Sequence, residues 1–375
     1  MHPASSARII LNWIHILLIT ILRFTAKISP RGITELKLAK GKIPAETLKR
    51  IVFRRLGAKR NEVLLGPALG EDGSVVKVGK EILVSSMDPI TGALERIGWL
   101  AVNINANDVA TFGVPPIFFS SCILLPENST EDIVDKITSQ INEAAKNLNI
   151  AVIGGHTEVT PGLDRPVIIG YAMGIAKDGR YVTSGGAHAG DKLILTKGAG
   201  VEGTAILASE AYNHLKEKID EDLLQSAMKF YDNISVVKDA ILAFNIGGVT
   251  AMHDPTEGGV AGGIHEMADA SGLGVKILEE KIAIARETHE ICRLLNVDPL
   301  QLIGSGALLI SANSERADEI AEGLKKEEIR AEVIGEFLEN PQERLLVREN
   351  GRVEKLVKPV SDHLWVALER SGVKL

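Results

Sequence analysis

Acidic residues recur in this chain wherever a glycine turn or an apolar strand ends: Asp72 in GEDG, Asp88 in SSMDP, Asp108 in NANDVATFG, Glu158 in GGHTE and Asp254 in HDPTEGG. A carboxylate carried into a core must be paired, hydrogen-bonded or metal-bound, because desolvating a lone charge is prohibitive. Mg²⁺ takes octahedral oxygen ligands and is usually held by one or two carboxylates together with substrate phosphates. Several carboxylates brought to one crevice would therefore suit an Mg²⁺-bridged triphosphate. No member is diagnostic alone. An Asp-Pro pair at a strand end is commonly a turn initiator, and His156 reads equally well as a satisfied loop histidine. Neither a GxxxxGKS/T phosphate loop nor a GxGxxG turn after a strand occurs, so the common nucleotide fingerprints are absent.

The element these residues depend on most is a predicted helix over residues 92–113. Ile97, Leu100, Ala101 and Ile104 fall at helical spacing and make an apolar stripe that should face a core. Continued by four residues, the stripe lands on Asp108, with Asn107 beside it. Ala106 and Ala110 leave room for something to approach. The alternative is that Asp108 caps a neighbouring element; a ligand site is the preferred reading.

Composition bounds the possibilities. With 375 residues the chain has room for two domains, and 45% hydrophobic with 24% charged residues is ordinary for a globular protein. The net charge of -7, from 42 basic and 49 acidic residues, argues against a nucleic-acid surface. It leaves nucleotides open, since a metal ion can neutralise their phosphates. The two cysteines, Cys122 and Cys292, are far apart and form no metal-spaced pair, so a reducing cytoplasm is the expected setting.

Residues 1–35 stand apart. The run at 9–24, IILNWIHILLITILRF, is apolar but shorter than the roughly 20 residues a bilayer span needs. It reads as a membrane-surface anchor, as a helix packed on the body, or, preferred, as sequence ahead of the true start; membrane contact follows only from the first reading. From Leu36 the pattern is globular. A helix is expected over 44–56, then strands within 64–78 and at EILVSSMD, the latter ending on Asp88. A strand from Pro116 to Leu125 and an amphipathic helix capped by Ser129 or Thr130 follow. IAVIGG should then deliver His156, Thr157 and Glu158 into a loop. The glycine- and serine-rich stretch 177–190 is the expected domain boundary. Beyond it come DKLILTK, the turn GAGVEGT feeding a helix from about Thr204, and HDPTEGG opening another helix. Strands and helices mix without strict βαβ alternation, which favours an α+β fold.

Taken in order, GEDGSVV, SSMDP, NANDVATFG, GGHTE and HDPTEGGVAGGIHEMA resemble the aminoimidazole ribonucleotide synthetase (PurM-like) superfamily, and DPTEGGVAGGI, GVEGTAILA and SGALLIS resemble its HypE-like hydrogenase-maturation branch. The resemblance implies a PurM-like two-domain α+β fold: a dimerising, β-barrel-forming ATP-binding domain at 36–177, an α+β domain at 190–345 and a tail at 346–375. It implies ATP and Mg²⁺ in the cleft, with metal ligation by Asp72, Asp88, Asp108 and Asp254. Nucleotide contacts would come from Gly70, Glu71, Asp72, Asn107, Asp108, Gly154, Gly155 and Lys197, and catalytic roles would fall to Asp254, Glu257 and His156. The helix N-terminus at Gly258 could add backbone N–H groups to a phosphate. Lys197 and residues 200–204 would sit near an acceptor whose identity the resemblance leaves open. A homodimer and a maturation-protein partner are implied as well.

There are departures. HypE proteins carry their reacting group on a C-terminal cysteine, whereas this chain ends Gly372-Val373-Lys374-Leu375. Thiamine-monophosphate kinases, matched by the acidic pair Asp254 and Glu257, have an acid where this chain has His156. A small-molecule kinase and a nucleotide-binding partner protein without turnover therefore stand beside the activating enzyme as alternatives.

Overall fold

Helix α1, Ile97–Ala110, is buried along its whole length. The expected stripe of Ile97, Leu100, Ala101 and Ile104 is thus only one side of an element that is covered all round, as a helix without a polar face must be. Ala106 and Ala110 are filled in by neighbouring core residues and open onto no ligand space. The computed structural model describes residues 41–91 and 95–373, and residues 44–375 form one compact unit. The apolar run at 9–24 lies outside the described residues. Among those described, no helix is long and apolar enough to cross a membrane.

The architecture is α+β, with two mixed sheets. The first comprises β1 (Val63–Leu65), β2 (Ser74–Val78), β3 (Glu81–Ile90), β4 (Pro116–Leu125), β5 (Ala151–Val159) and β6 (Val167–Ala176), in the order β1-β2-β3-β6-β4-β5. Helix α1 lies directly on β6, which glycine permits: a Cβ at Gly170 would overlap Asn105 Nδ2. Helix α2, Glu131–Asn147, packs on α1 and supplies the crossover between the parallel strands β4 and β5. Shortening the fully buried Leu100 of α1 to alanine would cost about 2–5 kcal/mol.

Two expectations about this sheet need correcting. Strand β3 runs past Asp88 and Pro89 to Ile90, pairing with β6 throughout. Its pairing with β2 ends at Ser85, so Pro89 sits where β3 has become an edge, a position that tolerates a missing N–H. His156 and Glu158 are not in a loop. After a register shift between Phe119 and Ser120, strand β5 pairs with β4 as far as Leu125 and Val159, and both residues belong to it.

The second sheet comprises β7 (Lys192–Thr196), β8 (Val249–His253), β9 (Gly274–Leu278), β10 (Leu309–Ala312), β11 (Ala331–Leu338), β12 (Arg344–Val347) and β13 (Val353–Lys355), in the order β13-β12-β9-β11-β7-β10-β8. All its pairings are antiparallel except β12 with β9. Helices α4 (Val237–Ile246), α5 (Gly259–Ser271) and α7 (Ala317–Lys326) pack on it, while α3 (Val201–Glu210), α6 (Arg286–Leu295) and α8 (His363–Arg370) pack on one another and join the core that contains α1. Helix α3 starts at Val201, three residues before the expected Thr204, because Gly200 adopts a left-handed φ of 69° at its N-cap. The helix expected at 44–56 is short, an α-turn at Ala45–Thr47 followed by a π-turn to Val52. Beyond residue 346, β13 extends the sheet, and α8 buries Leu364, Ala367 and Leu368.

Candidate active site

The site is built where the turn before β2, helix α1 and the end of β8 meet. The turn begins at Gly70, whose φ of 76° is left-handed and where a Cβ would stand 2.7 Å from the Glu266 carbonyl of α5. Glycine is required there on both counts. Glu71 reaches back across the chain and accepts from the Ser184 and Gly185 amides at 3.0 and 3.2 Å. Burial pushes its carboxyl up, and the Ser184 amide opposes that. Glu71 therefore ties down the 183–186 segment.

Asp72 Oδ1 lies 2.5 Å from His253 Nδ1, a close ion-pair contact that is not aligned as a hydrogen bond, and His253 Nε2 hydrogen-bonds Glu266 Oε2 at 2.9 Å. Burial works against a charged His253, yet Asp72 and Glu266 outweigh it and hold the imidazole well above the usual histidine range. The Ser86 hydroxyl is 2.8 Å from both the Asp72 carbonyl and Asp108 Oδ2, one proton for two acceptors. Asp88, half-buried, donates its amide to Asn105 Oδ1 at 2.8 Å, which fixes this end of β3 against α1.

Asp108 and Asp254 are the centre. Both are buried, at 3% and 1% exposure, and they come from opposite halves of the chain. Among the described residues neither oxygen of Asp254 has a well-formed hydrogen-bond donor, and what faces it, within hydrogen-bonding reach, is the Asp108 carboxyl. Burial first, and then the charge of Asp72, push Asp254 up to about 7. Burial, followed by the charges of Asp254, Asp88 and Asp72, raises Asp108 well above the carboxylate range, against the Ser86 hydroxyl. Like charges this close cannot both stay ionised unless a proton or a cation joins them.

Asp72, Asp88, Asp108 and Asp254 are thus brought into one electrostatic cluster. Among the described residues no three carboxylates, imidazoles or thiols form a ready-made metal cage. The donor set is nevertheless all oxygen, and the partnerless Asp254 carboxylate beside Asp108 fits a hard divalent cation whose remaining ligands are phosphates and water.

Other expected residues stand elsewhere. Asn107 is a clip between the halves: its Nδ2 donates to the Ile234 carbonyl at 2.9 Å and its Oδ1 accepts from the Val236 amide at 2.8 Å. Lys197 has a left-handed φ of 56°, donates to the Ser235 carbonyl at 2.6 Å and pairs with Asp239 at 3.2 Å; burial lowers its pKa, opposed by Asp239. His156 and Glu158 pair with each other at 3.1 Å on the exposed edge strand β5. Gly154 and Gly155 lie on the same strand, where a Cβ at Gly155 would overlap the Ser121 carbonyl. Glu257, at the far end of the Asp254 turn, bears on Glu202 and Asp362. The N-terminus of α5, expected to face a phosphate, is filled from within: the Gly258 amide donates to Asp362 Oδ2 at 2.6 Å.

His253, Ser86 and Glu266 are the residues the sequence reading did not single out. The available signal was the position of His253, next to Asp254 at a strand end, where alternation sends neighbouring side chains different ways.

Residues 70–176 match the N-terminal domain of AIR synthase related proteins, and residues 188–348 match their C-terminal domain. A putative hydrogenase expression/formation protein of Methanocaldococcus jannaschii is 30% identical over 310 residues, covering 81% of this chain and 90% of that one. The chain belongs to the AIR synthase related family. Its relatives include carbamoyl dehydratase HypE of Escherichia coli, 28% identical over 69% of this chain and 75% of that protein. Among solved structures, HypE in a HypE–HypF complex superposes with a TM-score of 0.68 at 21% identity, covering 84% of this chain and 99% of that one. HypE in complex with ATP superposes with a TM-score of 0.62, also at 21% identity, over 86% and 96%. These likenesses establish the PurM-like fold.

Proposed function

We propose that the chain is an ATP- and Mg²⁺-dependent enzyme that phosphorylates or otherwise activates an oxygen of a small or protein-borne acceptor in hydrogenase maturation. The observation that carries this reading is the pair of buried, mutually facing carboxyls of Asp108 and Asp254, one from each half. The relatives named for hydrogenase maturation, and the HypE structure solved with ATP, support it. Asp72, Asp108 and Asp254 would hold Mg²⁺, with Asp88 adding its charge; the bound cation would neutralise phosphate oxygens. The protein's own share is positioning: Ser86 orients Asp108, Asn107 fixes the second half against α1, and Glu71 holds the connecting segment. Catalysis of phosphoryl transfer rests mainly on such positioning and on charge neutralisation.

We further propose an ATP-binding domain over 36–177 and a second domain over 190–345. A homodimer would form through the first sheet, where β5 leaves Val152, Ile153 and Val159 about half exposed. The HypE–HypF complex supports a maturation-protein partner. The two free cysteines suit a reducing cytoplasm. A panel of carboxamide, thiocarboxamide and phosphate-ester acceptors, assayed for Mg²⁺-dependent ADP release, tests the reading. Release with one acceptor class supports it; tight Mg·ATP binding with no release from any acceptor, the chain itself included, leaves a nucleotide-binding partner protein instead.

A further inference from the structure

His253 occupies a position that needs explaining. It is 2% exposed, lies at the end of β8 immediately before Asp254, and has a carboxylate at each ring nitrogen. The two carboxylates come from different places: Asp72 from the turn ahead of β2, and Glu266 from α5. The imidazole is thus a rigid link running from α5 in the second half to Asp72 in the first. Little else holds the Asp72 side chain. Its other oxygen has the Ser184 hydroxyl at 3.4 Å, too long for a strong hydrogen bond. Its charge bears directly on both Asp108 and Asp254, so where it points decides the geometry of the whole acidic cluster.

We propose that His253 is a positioning residue that aims the Asp72 carboxylate into the Asp108–Asp254 site, with Glu266 bracing the imidazole from behind. Outer partners that orient a ligating group are worth roughly 10–100-fold in metal affinity. The inference rests on the proposed Mg·ATP site, but its link to Asp72 can be tested without nucleotide.

Two isosteres separate positioning from simple packing. An asparagine amide nitrogen can stand where Nδ1 was, and a glutamine amide nitrogen where Nε2 was. His253→Asn therefore keeps a nitrogen against Asp72, whereas His253→Gln keeps only the one at Glu266. In calorimetric titrations with Mg·ATP, His253→Gln and Asp72→Asn should each weaken binding at least about tenfold, while His253→Asn should stay within about threefold of wild type. In the absence of nucleotide, amide exchange at residues 70–74 should quicken in His253→Gln and stay near wild type in His253→Asn. The milder Glu266→Gln, at a half-buried side chain, should fall between the two on both measures if either histidine variant folds poorly. Equal losses in both histidine variants, or unchanged exchange at 70–74 in His253→Gln, would overturn the inference. If wild type does not bind Mg·ATP, the function reading fails, and the exchange measurement alone still decides the role of His253.

Discussion

The carboxyl groups of Asp108 and Asp254 face each other in the interior, the first on a helix that packs against one sheet and the second at the end of an edge strand of the other. Without a cation this arrangement is unfavourable. Burial and the neighbouring carboxylates drive both groups toward protonation, Asp254 to about 7 through burial and the charge of Asp72, and Asp108 through burial and the charge of Asp254. A neutral isostere should therefore stabilise the free protein while harming the site. Asp254→Asn is expected to raise the unfolding free energy at neutral pH by up to a few kcal/mol in EDTA, read by chemical denaturation. A clear loss of stability would mean that Asp254 has a structural partner after all.

The two carboxylates should separate kinetically. Asp108→Asn should weaken nucleotide binding and turnover together. Asp254→Asn should leave ATP affinity within a few-fold while removing turnover, the sign of an interaction made mainly in the transition state. Titration calorimetry and single-turnover assays on both variants check this.

Mg·ATP should raise the melting temperature, by an amount matching about 2.7 kcal/mol at a hundredfold excess over Kd, and EDTA should abolish the gain. A melting curve that does not move at millimolar Mg·ATP would sink the site.

Glu202 offers a pH test remote from the acidic cluster. It is 3% exposed, its Oε2 has no hydrogen-bond partner among the described residues, and burial pushes its carboxyl up to about 7. The folded state then keeps a proton that the unfolded chain releases near 4.5. Because the native state binds more protons, this group's contribution to stability falls as pH rises from about 4.5 through about 7. Glu202→Gln removes that dependence and should be more stable than wild type above pH 7 by about 3 kcal/mol. The measurement is the difference between the two stability profiles over pH 4–9. Parallel profiles would show that the carboxyl is not perturbed.

Asn107→Ala cuts the clip between the halves and leaves the Ile234 carbonyl and the Val236 amide without their partner. Two buried groups of this kind should cost about 2–4 kcal/mol in urea unfolding. Nucleotide affinity should fall too, because Asp108 is the next residue on the helix. Wild-type stability would show that solvent replaces the amide there.

Much of this was legible in the sequence, for local reasons. The order of elements follows from runs of apolar residues and the turns between them. Family membership follows from acidic, glycine-rich motifs that recur in order. Gly70 must be a glycine partly because of its backbone angle, a constraint written locally, and partly because of the Glu266 carbonyl, which only the fold brings near.

What the sequence could not determine depends on partners distant along the chain. Periodicity marked one stripe on α1 but did not show that the helix is covered on every side; that depends on β6, α2 and the second half closing over it. GGHTE reads as well for a loop as for a strand, and only pairing with β4 made His156 an edge residue. The N-terminus of α5 looked open to phosphate until folding brought Asp362 to it. His253 carried no signal beyond its place beside Asp254, because an imidazole acquires its role from the two carboxylates it meets. Local chemistry is set by residue type and spacing, whereas a charge buried against another charge is a property of the assembled fold, and that is where Asp72, His253, Asp108 and Asp254 come together.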